Sequence, residues 1–273
     1  MIALSVRVAA ERAELVLAEL LGLAPAGVEE RGGAGTVEYV FYGDEAALPT
    51  EEQLRTAAGS ALLGISREEV ADDWNERWKQ WHRPVEVAVR GRRVRIRPPW
   101  EPALDGDGVA LVIDPGQAFG TGGHHTTRLC LELLLELDPE GSLADWGCGT
   151  GVLALAAARL GFSPVAAVDL DPAALEATRH NAAVNGVESL AVDRVDLAEA
   201  PGPPAETVVA NLIRPLLLAV AARLEIVPPQ LIVSGLLRAE ADEVGDAFAR
   251  HGLREVARRE SGEWAALLLA GAA

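Results

Sequence analysis

Cysteine is scarce in this chain of 273 residues, where Cys130 and Cys148 are the only two. They are too few for a disulfide scaffold and too far apart for a close-spaced metal pattern, which suits a reducing compartment. Lysine is scarcer still: Lys79 stands alone, so nearly all positive charge is arginine, a compositional habit with little bearing on function. No run reaches about 18 uncharged apolar residues, so no membrane-spanning helix is expected. The opening MIALSVRVAAERAELVLAEL meets Arg and Glu too soon to be a signal peptide. A soluble, cytoplasmic protein is expected. Positive charge as a whole is short, with 24 Lys plus Arg against 41 Asp plus Glu and a net charge of -17. Such acidity argues against a chain that coats nucleic acid, because phosphate binding needs concentrated cations. It leaves room for a basic protein partner. The chain has a hydrophobic fraction of 49% and a charged fraction of 24%, which is globular composition. The length allows one large domain, or a large and a small one.

Hydrophobic periodicity divides the chain. Residues 2–8 alternate as a strand, and 10–21 carry a helical pattern in Leu15, Val16, Leu20 and Leu21. Val37, Tyr39 and Phe41 share one face of a second strand, and 51–63 read as a helix. A small α+β module over residues 1–70 follows, ferredoxin-like in layout, with a weak final strand. Residues 71–100 then form a linker. Trp74, Trp78 and Trp81 lie on one helical face, either packing against a domain or stacking on a base or peptide. Residues 85–97 read as a hairpin turning at Gly91. The linker holds eight basic and four acidic residues, the one locally basic stretch, whose simplest role is a solvated face. From 101 to 273 strands and helices alternate. Strands are expected at 111–113, 142–146, 165–169 and 231–233, with another ending before Asn211, and helices at 152–160, 172–184, 215–225 and 238–250. This predicts an α/β domain with a mostly parallel sheet covered on both faces, closed by a hairpin at 253–269 that adds an antiparallel edge.

A glycine loop carries the first chemical signal. Asp145 to Gly151 read DWGCGTG, so Gly147, Gly149 and Gly151 follow a strand directly and let a ligand approach the backbone. The next strand ends at Asp169, 22 positions after Gly147, a suitable distance for a carboxylate that accepts from ribose hydroxyls. Dinucleotide loops want G-x-G-x-x-G, and here Val152 stands at the sixth position. A pyrophosphate therefore lacks its loop, whereas S-adenosylmethionine has no phosphate to place. Asp171 is mainly a helix N-cap before Pro172, with a cofactor contact as the rival reading. Asp145 either meets the methionine ammonium, directly or through water, or is structural. Asp196 sits where an adenine amino contact can arise, with Asp193 as its rival.

Two further segments border the expected pocket. VVANLI sets Asn211 at the carboxyl end of a strand, where ligands of such sheets bind. Its amide can hold a substrate N–H, or the residue simply caps a turn. Leu212, Ile213 and Arg214 follow, without the prolines and aromatic ring that suit a flipped base. FGTGGHHTT is glycine-rich and polar, and Thr121, His124, Thr126 and Thr127 can shape the cofactor or amine site. His124 is otherwise a structural histidine, and His125 is expected to face solvent. No Cys or H-E-x-x-H pattern completes a ligand set, so no metal is expected.

The joined motifs resemble the PrmA family of ribosomal protein methyltransferases, which act on protein eleven of the large ribosomal subunit. DDWNERWKQWHRP at 72–84, DPGQAFGTGGHHTT at 114–127, DWGCGTGVLALAAARLG at 145–161 and VVANLI at 208–213 carry the likeness, with SGLL at 234–237 and GEW at 262–264. It covers residues 70–273 well, and the first 70 more in layout than in motif. The resemblance implies a Rossmann-like seven-stranded methyltransferase fold behind a substrate-recognition domain. It maps the conserved loop histidine to His124, the loop threonines to Thr126 and Thr127, and the cofactor loop to Gly147, Gly149 and Gly151. It maps the ribose acid to Asp169 and the active-site asparagine to Asn211. It implies S-adenosylmethionine-dependent methylation of the α-amine and lysine amines of that ribosomal protein, free or ribosome-bound, by a monomer. Other proteins or small amines as substrates, and a ribosome-binding module without activity, are the rival readings. The twelve acidic and five basic residues of the first 70 suit recognition of a basic protein.

Overall fold

The computed structural model describes residues 2–23, 28–33, 35–43, 45, 48–69, 82–103, 106–115, 120 and 122–271. Trp74, Trp78, Trp81 and Thr121 lie outside them. The chain divides into two compact units, Met1–Trp81 and His82–Ala273.

The first unit runs β1 (Ile2–Ala9), α1 (Ala13–Leu21), β2 (Glu29–Gly33), β3 (Thr36–Gly43), α2 (Glu51–Ala58) and β4 (Leu62–Glu69). The strands lie in the order β2-β3-β1-β4 and every neighbouring pair is antiparallel, which is the ferredoxin-like arrangement. Alternation along β1 puts Leu4, Val6 and Val8 on one face, and the register sets them opposite Phe41, Tyr39 and Val37. Val16, Leu17 and Leu20 of α1 and Leu54 and Ala58 of α2 are buried, and both helices meet β1. Thr50 and Gln53 form a reciprocal capping box at the start of α2. The helix expected through residue 63 ends at Ala58, because Gly59 takes φ +51°. The chain from Leu62 onward instead joins the free edge of β1. Strand β2 has the sequence EERGG, which carries no strand signal of its own; its pairing with β3 makes it a strand.

The second unit begins with β5 (Val85–Val89) and β6 (Arg92–Arg97), an antiparallel hairpin. Arg90 and Gly91 turn it with φ +50° and +79°, the two positive values a tight hairpin needs. β7 (Val109–Val112) adds in parallel to β6. Three arginines of β6 are engaged by backbone carbonyls. Arg92 donates to Leu135 and Leu137 at the end of the next helix, Arg95 to Gly106 and Arg97 to Glu101.

There follow α3 (His125–Glu136), β8 (Leu143–Trp146), α4 (Val152–Leu160), β9 (Val165–Asp169), α5 (Pro172–Val184), β10 (Ala191–Arg194), β11 (Thr207–Asn211), α6 (Arg214–Ala222), β12 (Gln230–Leu237), α7 (Ala241–Ala249), β13 (Leu253–Ser261) and β14 (Trp264–Gly271). The seven-stranded sheet has the order β10-β9-β8-β11-β12-β14-β13. The first five are parallel neighbours, and β14 runs antiparallel to both β12 and β13. The closing hairpin therefore puts its antiparallel strand inside the sheet and leaves β13 at the edge. Leu217 and Val220 of α6 and Val244 and Phe248 of α7 pack with the buried residues of β11, β12 and β14. The strand order reverses between β8 and β11, so the chain diverges at the carboxyl ends of β8, β9 and β11 and opens a crevice there. No helix among the described residues is long and apolar enough to cross a membrane.

Tyr39 tests the packing of the first unit. It is fully buried, and its hydroxyl donates to the Ala13 carbonyl at 2.8 Å. Tyr39→Phe is expected to lower the stability of this unit by about 0.5–1.5 kcal/mol, the net value of one such bond. The readout is a lower urea midpoint with an unchanged slope; an unshifted midpoint would show that the bond contributes nothing.

Candidate functional site

All four residues of β8 are buried, and the strand ends abruptly at Gly147, which takes φ +81°. Gly147 and Cys148 both donate their N–H to the Val168 carbonyl, at 2.8 and 3.0 Å, so the chain folds sharply across the end of β9. A side chain at 147 would be strained by that φ and would displace Leu212, whose Cδ2 lies 2.3 Å from the place of a Cβ. Gly151 is required for another reason. It caps α4 at φ +80°, and a Cβ there would lie 2.8 Å from Thr178 Cγ2.

The crevice is a cleft of about 290 Å³, at the small end of ligand sites. The structure brings Thr127, Gly147, Gly149, Asp169, Asp196 and Asn211 to its walls. Asp169 ends β9, with Oδ2 accepting from Gly149 N and Oδ1 from Asp171 N, each at 3.0 Å. Each oxygen keeps a further lone pair for a ligand hydroxyl. Asp171 is the N-cap of α5, its Oδ1 accepting from Ala173 N at 2.9 Å, and it is not in the cleft wall. Asp196 is in the wall, with Oδ1 on Ala198 N, whereas its rival Asp193 is exposed outside it. Asn211 ends β11 and leans its Nδ2 toward Thr127 Oγ1 at 3.5 Å.

Four other candidates stand behind the wall and not in it. Gly151 faces Thr178. Asp145 has no solvent exposure; its Oδ2 accepts from Ala154 N at 3.0 Å while Oδ1 has no partner. Burial, with Asp169 adding to it and the Ala154 N–H opposing, raises its carboxyl to about 7. His124 is the N-cap of α3: its Nδ1 lies 3.3 Å from Thr126 N, which donates to it, and 2.8 Å from Thr126 Oγ1. That N–H needs a lone pair on Nδ1, so the ring is neutral with its proton on Nε2. Burial first, and the nearby His125 second, lower its pKa to about 4. Its ring meets Trp264 edge-on with centroids 5.0 Å apart. Thr126 is buried beneath it. His125 is exposed, with Nδ1 2.7 Å from Ser261 Oγ. Burial raises both cysteine thiols, so neither is a ready nucleophile.

Sequence reasoning missed the apolar half of the cleft, namely Leu170, Val195, Leu197, Ile213 and Leu216. Leu170 and Ile213 are each about half exposed. Their signal was faint, a large apolar residue directly after a polar strand end. The described lining contains two carboxylates and neither Lys nor Arg. Such a wall repels pyrophosphate and suits a cationic, phosphate-free ligand with hydroxyls and a flat apolar portion. S-adenosylmethionine has those features; Asp169, Asp196 and the apolar residues of the wall are the groups that could hold it, while Asp145 lies buried behind the loop. Among the described residues no group of three His, Cys, Asp or Glu is arranged to hold a metal ion.

Comparison with known proteins gives the same direction. The family model described as ribosomal protein L11 methyltransferase (PrmA) matches residues 26–271. A protein of that name from Pseudomonas paraeruginosa is 41% identical over 223 residues, covering 80% of this chain and 74% of its own. Its namesake from Desulforamulus reducens is 33% identical over 225 residues, covering 80% and 72%. The crystal structure of a ribosomal protein L11 methylase from Lactobacillus delbrueckii subsp. bulgaricus superposes with a TM-score of 0.62 at 27% identity, covering 68% of this chain and 98% of that one. With its cleft, its seven-stranded sheet and these relatives, the chain belongs to the PrmA family and is an S-adenosylmethionine-dependent methyltransferase.

Proposed function

We propose that this enzyme methylates amine nitrogens of protein eleven of the large ribosomal subunit, both the α-amine and lysine side chains, in the cytoplasm. The observation that carries the reading is one cleft that joins the Asp169 carboxylate to the Asn211 amide, without a cation in its described lining. The acidic first 70 residues suit a basic protein substrate. The names of the relatives point to the same ribosomal protein.

The bound cofactor supplies a methyl group on a sulfonium, which passes in line to an uncharged amine. The protein's part is orientation. Asp169 receives ribose hydroxyls on the lone pairs left free by Gly149 and Asp171. Gly147 and Gly149 bring backbone within reach of the amino acid portion, while Gly151 lets the loop pack closely enough on α5. Thr127 and Asp196 complete the cofactor wall. Asp145, buried behind the loop, acts on the ammonium through its charge and not by contact. Asn211 Nδ2 is turned toward Thr127, so Oδ1 is the end left to accept an amine N–H and aim the nitrogen lone pair. His124 holds Thr126 and the start of α3, which presents Thr127. Its neutrality at pH 7 keeps a second positive charge away from the sulfonium. No side chain in the described wall is a ready base, so solvent takes the amine proton. Transfer of labelled methyl groups to the isolated ribosomal protein tests the substrate; folded, cofactor-binding enzyme that transfers none would overturn it.

Three variants separate these roles. Asp169→Ala is expected to weaken cofactor binding by roughly 1.5–3 kcal/mol, the range for hydrogen bonds to a charged group, as read by calorimetry. Asn211→Ala is expected to cut methyl transfer much more than cofactor affinity; equal losses would move Asn211 into the cofactor's shell. The third concerns pH. The Asp145 carboxyl is raised to about 7 without ligand, against an ordinary value of 3.8. The folded, unliganded protein therefore binds a proton that the unfolded chain releases between pH 3.8 and 7, and Asp145 lowers its stability as pH rises through that window. A ligand ammonium favours the ionised form, so affinity for S-adenosylhomocysteine is expected to rise about tenfold from pH 6 to pH 8. Asp145→Asn should flatten that rise; an equally steep profile in the variant would remove Asp145 from the linkage.

A further inference from the structure

Helix α5 points a polar stripe into the protein. Thr178 and Asn181 have no exposure and Asn185 is 8% exposed. Their spacing of three and four puts them on one helix face. None of them lines the cleft. Each meets backbone outside its own helix. Thr178 Oγ1 lies 2.9 Å from the Gly149 carbonyl and 3.3 Å from Cys148 Sγ. Asn181 Oδ1 accepts from Asp114 N at 2.9 Å, and Nδ2 donates to Asp114 O at 3.2 Å and Thr150 O at 2.9 Å. Asn185 brackets Val112 in the same manner, at 2.8 and 2.7 Å, but reaches no residue of the glycine loop. The Thr150 hydroxyl in turn donates to the Gly120 carbonyl. Gly120 and Gly149 both line the cleft.

We propose that Asn181 is a positioning residue for cofactor binding: it ties the glycine loop at Thr150 to the incoming chain at Asp114, so that the Gly149 and Gly120 walls are spaced before a ligand arrives. The inference rests on the assignment of this cleft to S-adenosylmethionine. Asn181 is suited to the task because a carboxamide brings donors and an acceptor on one rigid plane, enough to satisfy an N–H and two carbonyls at once. A loop held this way loses little freedom on binding, which raises affinity without a contact to the ligand. Asn185 provides an internal control, being a similarly buried amide on the same helix face that holds the same segment without touching the loop.

The test compares Asn181→Ala with Asn185→Ala in the full chain. Thermal midpoints, amide exchange without ligand and calorimetric dissociation constants for S-adenosylhomocysteine are the readouts. Both variants are expected to lose thermal stability. Only Asn181→Ala should weaken binding tenfold or more and raise the cofactor KM, leaving the KM for the protein substrate unchanged. Asn185→Ala should stay within twofold in affinity. In unliganded protein the Asp114 N–H should exchange faster in Asn181→Ala. Equal affinity losses in both variants, or native affinity in folded Asn181→Ala, would overturn the proposal. If Asn181→Ala does not fold, Asn181→Asp decides, since it keeps the volume and the acceptor for Asp114 N but removes the donor to Thr150 O: at least threefold weaker binding supports the inference, and native affinity overturns it. Failure of the unaltered protein to bind S-adenosylhomocysteine would instead refute the cofactor assignment itself.

Discussion

Two N–H groups share one carbonyl at the heart of the catalytic unit. Gly147 and Cys148 both donate to Val168, and this pair turns the chain out of β8 and across the end of β9. Gly149 is thereby delivered to Asp169, whose carboxylate accepts its N–H. The turn takes residue 147 to φ +81°, which favours glycine, and Leu212 packs into the space a Cβ would occupy. Leu212 directly follows Asn211. This close approach joins the glycine loop, next to Asp169, to the end of β11.

The charges of the site are arranged by what is withheld. Asp169 and Asp196 face the cleft, and no Lys or Arg answers them in the described wall. Asp145 is buried with one oxygen unpartnered, and burial raises its carboxyl to about 7, so a cation placed nearby would favour its ionised form. Nearby arginines are engaged elsewhere. Arg92, Arg95 and Arg97 of β6 serve backbone carbonyls, so these three charges are spent on structure. His124 is kept neutral by burial while it caps α3. The described wall thus carries negative charge without a cation to answer it.

Legibility followed the strength of local signals. The helices 152–160 and 172–184 run to the residues expected, because Gly151, Asp171 and Pro172 mark their starts and Gly161 or Asn185 their ends. The strand ending at Asp169 was equally plain, an apolar run closed by a carboxylate. The first unit was harder. The helix expected over 51–63 overran the first two residues of a final strand that was only weakly signalled, because nothing local says that Gly59 takes positive φ, and EERGG forms a strand only because β3 offers it an edge. The closing hairpin was legible as a hairpin, yet nothing local says which of its strands inserts beside β12.

The sequence by itself determined the elements, the reversal of pattern that makes an α/β domain, and the residue types at the carboxyl ends of the strands. Those depend on backbone preference and on periodic apolar residues, which act over a few positions. Which polar residues reach the ligand was decided only in three dimensions. Asp196 lines the cleft and Asp193 does not: Asp193 lies within β10 and is exposed, whereas Asp196 comes two residues after that strand ends. Asp171 is spent on a helix start while Asp169, two residues earlier, keeps lone pairs for a ligand. Asn181 looks like an ordinary helix residue until folding carries Asp114 and Thr150 to either end of its amide. Burial and long-range hydrogen bonding assign these roles, and both depend on residues distant in the chain.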